Sequence, residues 1–251
     1  MDKVVVYAGT RNLYEQMYVC LKSLLAHNQI DRVYLLIEDD EYPFDIPPYV
    51  YPLNVSGQEF FKPGTPNYGC QWSYMSMLRC AFGNMFPEEH KILWLDCDTI
   101  VHADITDLFD MDMTGYMYAG AVERQNSIYL YKYINCGVLL MNLDVIRDRG
   151  REDEMISFLN RYPFAFPDQD VINLLCQGWI RVISSEYNAN AFTDKCSRPR
   201  IFHFAAVKNF HENPIYKFYD ELDVFGFDEE ESKEEAEADG NETDASTGGA
   251  E

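Results

Sequence analysis

Residues 4–8 (VVVYA) are an unbroken apolar run, the pattern of a strand covered on both faces. Residues 15–27 then carry Met17, Leu21, Leu24 and Leu25 at helical spacing, and 32–38 (RVYLLIE) form a second buried strand. Strand, helix and strand in so short a span make a βαβ unit, which predicts a parallel sheet. The stretch 41–66 holds six of the eleven prolines and reads as loop with one short extended piece. A helix is expected over 72–85, with Met75, Leu78, Phe82 and Met85 on one stripe. It is followed by a buried strand over 91–95 (KILWL) that ends in Asp96-Cys97-Asp98. Further strands are expected at 116–122, 133–141, 179–184 and 201–204, and helices at 152–160, 168–177 and 214–222. Asn142 is placed to cap a short helix beginning at Leu143. Alternating strands and helices give an α/β fold as the base reading.

Composition changes this picture at one end. Hydrophobic residues make up 47% of the 251, ample for a packed core, while acids outnumber bases 42 to 20. That balance argues against nucleic acid or an anionic membrane surface as a partner. Residues 228–251 lack aromatic and large aliphatic side chains and are rich in acid, so they are expected to form a disordered tail behind a domain spanning 1–227. No apolar run is long enough for a membrane span. Seven cysteines, an odd number without a C-x-x-C pair, read as buried thiols of a reducing, cytoplasmic compartment.

The chemistry gathers where the 91–95 strand ends. Ligands of open α/β sheets bind beyond the carboxyl ends of strands. Asp96 and Asp98 are two residues apart on extended chain, so their side chains project to one side. Two converging carboxylates suit an oxygen-preferring divalent cation, Mg or Mn, although aspartates at strand ends also make turns and caps. An EF-hand is excluded, because its fifth and sixth loop positions would be Ile100 and Val101. A haloacid-dehalogenase-like sugar phosphatase is a more serious rival, since LDCDTIV is similar to its strand-end motif. That motif, however, normally lies on the first strand.

The runs LWLDCDTIV, YINCGVLLMN, PDQDVIN and HFAAVK, in this order, resemble glycosyltransferase family 8 over roughly residues 3–220. The resemblance implies a GT-A (Rossmann-like) α/β domain with a mostly parallel central sheet. It implies a retaining hexosyltransferase that moves glucose or galactose from a UDP-sugar to a glycan or other hydroxyl acceptor with Mn2+ or Mg2+. Asp96, Asp98 and His203 would hold the metal, although a histidine between Phe202 and Phe204 also fits a core position. Ala8, Thr10, Asn12 and Tyr14 would form the uridine pocket, with Tyr14 stacking on the base. Cys97 and Arg79 would join them at the donor, as would Glu123, Asn135, Gly137 and Lys208. Outside the resemblance, Tyr14 fits ordinary core packing and Arg79 a snorkelling surface residue. Gly137 would let the donor approach the backbone. Asp168, Gln169 and Asp170 would face the transferred sugar, although Asp168 also fits a helix N-cap.

The chain departs from the family pattern H-x-x-G-x-x-K-P-W. Ala206 stands where glycine is expected, one residue is missing before Lys208, and Asn-Phe replaces Pro-Trp. This departure keeps a second expectation open, a catalytically weak nucleotide-sugar-binding protein.

Overall fold

The computed structural model describes residues 2–70, 73–124 and 132–226. The expected acidic tail at 228–251 lies outside them. Strand β1 (Val4–Ala8) leads through a 3-10 turn into helix α1 (Tyr14–Leu25), β2 (Arg32–Ile37) and β3 (Val50–Asn54). Next come α2 (Tyr74–Met77), α3 (Phe82–Met85), β4 (Lys91–Leu95), β5 (Thr99–Val101), α4 (Thr106–Phe109) and β6 (Tyr118–Ala121). The chain continues through β7 (Val138–Asn142), α5 (Leu143–Arg149), α6 (Glu152–Arg161) and α7 (Pro167–Leu175) to β8 (Ile180–Ile183), β9 (Ile201–His203) and α8 (Pro214–Glu221).

Seven strands form one sheet in the order β3-β2-β1-β4-β7-β6-β8. All neighbours run parallel except β7, which is antiparallel to both β4 and β6. The mostly parallel α/β sheet expected from the sequence is therefore present. Both faces are covered, as unbroken apolar strands require. On β1, Val4, Val6 and Ala8 join the core that α5, α6 and α7 cover, whereas Val5 and Tyr7 join the core beneath α1. The same alternation puts Trp94 on the first face and Leu93 and Leu95 on the second. Strand order reverses between β1 and β4, so the crevice at their carboxyl ends is the topological switch point.

Two expected elements are broken, each for a local reason. The helix expected over 72–85 is α2, a 3-10 turn at Leu78–Ala81, and α3; residue 72 lies outside the described residues. Arg79 Nε donates to the Ser76 carbonyl at 2.9 Å while its other nitrogens reach across to Cys136 and Asp96, which tightens this turn. The strand expected over 133–141 pairs regularly only from Val138. Before it, the Cys136 amide donates to Gln169 Oε1 and the Gly137 amide to Asn135 Oδ1, which draws both off the ladder. The cap at Asn142 is as expected, its side chain accepting from the Val145 amide. A separate two-stranded pairing, antiparallel β5 with β9, sets Thr99 opposite His203. This register brings a distant histidine beside the paired aspartates.

Candidate active site

A cavity of about 370 Å3 opens at the carboxyl end of β4. Its lining includes Arg79, Asp96, Asp98, Glu123, Asn135, Gly137, Asp168, Gln169 and His203, nine of the residues singled out in the sequence. The strand ends fix them by backbone contacts. The Asp96 amide donates to the Gly137 carbonyl at 2.8 Å, tying β4 to β7, and the Phe204 amide donates to the Asp98 carbonyl at 2.9 Å, tying the aspartates to β9.

His203 Nε2 lies 3.2 Å from Asp98 Oδ1 and 3.8 Å from Asp96 Oδ2. One ligand atom from each of the three lies within 4.8 Å of the others. Two carboxylates and one imidazole are a donor set that fits Mn2+ or Mg2+. Burial alone would lower the His203 pKa, but Asp98 and Asp96 together raise it above its ordinary value. Burial would raise Asp98, yet the facing imidazole outweighs it and holds that carboxyl below the usual range.

Arg79 is the buried cation of the site, 2% exposed. It donates to Asp96 Oδ1 at 2.8 Å and to the Cys136 carbonyl, and its Nε lies 3.2 Å from Asp168 Oδ2. Its guanidinium sits 4.0 Å from the Trp94 ring centroid, whose indole N–H donates to the same Asp96 oxygen at 2.7 Å. This is not a snorkelling surface arginine. Burial raises the Asp168 pKa from its ordinary value against the pull of Arg79. Asp168 lies in the first turn of α7, where Phe166 occupies the N-cap position, so it is not the cap.

The opposite wall is a connected set of amides and acids. Gln169 Oε1 accepts from the Cys136 amide at 2.9 Å, and its Nε2 donates to Glu123 Oε2 at 3.0 Å and to the Tyr133 hydroxyl at 3.3 Å. Asn135 donates to the same Glu123 oxygen at 3.0 Å. Asp170 accepts from the Tyr133 hydroxyl and from the Phe166 amide, so it sits behind the wall. Gly137 has a role the sequence reading did not give it. A Cβ there would lie 2.1 Å from His203 Cε1, so the missing side chain seats the imidazole.

The other expected donor residues do not line this cavity. Cys97 points inward, its thiol donating to the Ala8 carbonyl at 3.2 Å. This contact holds the loop after β1 against β4. Thr10 donates to Asn12 Oδ1 at 2.6 Å on the open side of that loop. The Tyr14 ring is 4% exposed and packs against Tyr42. Its hydroxyl donates to Asp39 Oδ2 at 3.0 Å and accepts from the Glu38 amide at 2.8 Å, so it builds the floor of the β2 crevice instead of offering a stacking face. Lys208 is exposed beyond Ala206, which adopts φ +61. Alanine thus takes a left-handed conformation at the position where the family has glycine. Asn188, Phe166 and Phe192 were missed by sequence reasoning. Asn188 is fully buried against His203 and Asn135, but in the run YNANAF no spacing marks it.

The family model described as "Glycosyl transferase family 8" matches residues 4–217. Glycosyltransferase GlyA of Streptococcus pneumoniae is 26% identical over 198 residues, 74% of this chain and 28% of GlyA. Glycosyltransferase GlyE of the same organism is 26% identical over 196 residues, 74% of this chain and 47% of GlyE. This chain therefore spans less than half the length of these relatives. The match to the solved structure of GlyE covers 93% of this chain and 64% of the solved chain, with a TM-score of 0.67 and 22% identity. The galactosyltransferase LgtC, solved with donor and acceptor sugar analogs, covers 86% of this chain and 95% of its own, with a TM-score of 0.62 and 18% identity. These likenesses bear out the expected GT-A fold.

Proposed function

Because this chain belongs to glycosyltransferase family 8, we propose that it transfers a hexose, glucose or galactose, from a UDP-sugar to a glycan or other hydroxyl acceptor with retention at the anomeric carbon. The observation that carries this reading is the single cavity in which Asp96, Asp98 and His203 face Asp168 and Gln169. Asp96, Asp98 and His203 would hold the divalent ion. When bound, the ion supplies positive charge against the departing diphosphate. Arg79 keeps Asp96 in place and balances the buried Asp168. Asn135, Asp168 and Gln169 would bind and orient the sugar, Thr10 and Asn12 the nucleoside, and Lys208 a diphosphate oxygen reached from the open side. Ala8 and Cys97 serve by holding the first loop to β4.

Two features support same-face attack over a double displacement. The Gln169 amide is committed on both ends, and Asp168 is paired to Arg79. A same-face route asks only that the acceptor proton pass to the leaving diphosphate oxygen. Five buried thiols support a cytoplasmic address. Among the described residues no helix is long and apolar enough to cross a membrane. The phosphatase reading gives way to the family assignment, since the aspartates follow β4 of a family 8 domain. The exposed Lys208 favours a second reading, a protein that binds the donor but turns it over weakly.

The test is a panel of nucleotide sugars with Mn2+, read as nucleoside diphosphate release with and without acceptor sugars. One UDP-sugar is expected to be hydrolysed slowly alone and faster with acceptor. Asp98→Asn is expected to lose at least about 100-fold of that activity while keeping its fold. A folded Asp98→Asn protein with full Mn2+-dependent activity would refute the assignment, and donor binding without any release would select the second reading.

A further inference from the structure

The structure assigns to Asn188 the role of positioning residue that fixes the His203 tautomer and so turns Nε2 toward the cation site. The assignment follows from backbone donors, whose direction is not in question. The Gly137 amide donates to Asn135 Oδ1 at 3.1 Å, so that Asn135 atom is the oxygen. The Asn188 atom facing the same oxygen at 2.9 Å must therefore be its Nδ2, a donor. The other Asn188 atom, the one against His203, is then Oδ1, an acceptor.

A second chain of reasoning reaches the same atom independently. The Phe192 and Thr193 amides donate to Asn190 Oδ1 at 2.8 and 3.1 Å, so the other end of Asn190 is its Nδ2. That Nδ2 donates to the same Asn188 Oδ1 at 2.9 Å. Asn188 Oδ1 lies 2.8 Å from His203 Nδ1. Two lone pairs cannot face each other at that distance in a buried site, so Nδ1 carries the proton. Asn190 Nδ2 also lies near His203 Nδ1, but at 3.4 Å, the longer of the two contacts. With Nδ1 protonated, the Nε2 lone pair is the one left for a cation held between the ring and the Asp96 and Asp98 carboxylates.

Asn188 is 0% exposed and bridges β9 to the segment before β7, so it also holds the imidazole over Gly137. Through Asn135 and Glu123 the same bond series continues to Gln169. The cation ligand and the opposite wall of the cavity are thereby set by one buried amide. A hydrogen-bonded partner behind a ligating histidine is worth about 10–100-fold in metal affinity. This inference rests on the reading of His203 as a cation ligand, and its test separates the two.

The first readout is long-range 15N–1H NMR of the protein titrated with Mg2+, whose binding takes the Nε2 lone pair. The His203 signals are expected to show the Nδ1–H tautomer, and an Nε2–H tautomer in the wild-type protein would overturn the assignment. The second is Mn2+ titration followed by electron paramagnetic resonance. Asn188→Leu is expected to weaken Mn2+ binding by about 10–100-fold and to admit the Nε2–H tautomer. Asn188→Asp retains an acceptor for Nδ1 and is expected to keep the native tautomer and to bind Mn2+ more tightly than the leucine variant. Unchanged Mn2+ binding in a folded Asn188→Leu protein would sink this inference alone. A wild-type protein that binds Mn2+ or Mg2+ without moving the His203 Nε2 signal would sink the ligand reading, whereas the Nδ1 signal still reports the contact with Asn188. If the leucine variant does not fold, the wild-type tautomer and the aspartate variant decide.

Discussion

The wall formed by the start of α7 and the segment before β7 contrasts with the loop that follows β9. In the wall, Asn135, Gln169, Asn188, Glu123 and Arg79 are buried and each makes at least two polar contacts. In the loop, Ala206 holds a positive φ, Val207 is 47% exposed and Lys208 reaches solvent. Both border the same cavity, yet only the wall is held by buried polar side-chain contacts. The difference teaches where geometry has to be preset. Groups beside a reacting carbon lose effect if displaced by about 1 Å, so their reorganisation is settled during folding. A lysine that meets a diphosphate gains most of its effect from charge and tolerates being brought in on binding.

Removing the cation at the centre of the wall should separate the two regions most strongly. Arg79→Met leaves Asp168 and Asp96 without their buried partner and should cost about 3–5 kcal/mol of stability. For a chain of this size that is a fall in Tm of roughly 10 °C. Donor hydrolysis should be lost with it. The loss should depend on pH. Asp168 already has a raised pKa from burial, and without Arg79 it rises further. A carboxyl raised in the folded state contributes stability that is present below its unfolded pKa and lost as pH rises through the folded value. The melting temperature of the variant should therefore recover in acid and fall with increasing pH more steeply than that of the wild type. A pH-independent difference in Tm would show that the wall does not depend on this pair.

Gly137→Ala tests the seat of the histidine. The new methyl would meet the imidazole at 2.1 Å, so His203 must move. Overpacking of this kind costs about 1–3 kcal/mol. Mn2+ affinity should fall by at least about tenfold, as for a displaced ligand. Retained affinity would mean that β9 is as adjustable as the loop beyond it, which would erase the contrast. The smallest effect is expected in the loop. Ala206→Gly relieves a left-handed alanine, a gain of about 1 kcal/mol that the extra chain entropy of glycine offsets in part. A rise in Tm of about 1–3 °C, read by calorimetry, would sharpen the comparison. A fall in Tm would show that the alanine side chain contributes packing there.

The elements and the position of the site were legible because both are local properties of the chain. Apolar runs identify strands buried on two faces, helical stripes identify their covers, and an acidic pair at the end of KILWL lies where open sheets bind ligands. The residues picked out by the motif resemblance, Asp168, Gln169 and Asn135, line one cavity with Asp96 and Asp98. Departures arose wherever a side chain contacts something distant. The turn at Leu78–Ala81 is set by Arg79 reaching β4 and Cys136, and the bend at Asn135–Gly137 by Gln169 taking an amide from the ladder. Tyr14 turned inward because Asp39 and the Glu38 amide claim its hydroxyl.

The sequence by itself determined which segments must be covered and which strand end is acidic, since periodicity and charge are fixed residue by residue. Tertiary structure alone decided that β5 pairs with β9 in the register that sets His203 opposite Thr99, that Gly137 leaves room for its ring, and that Asn188 fixes its proton. Those outcomes depend on register and on donor–acceptor matching between segments far apart in the chain, which no local pattern encodes.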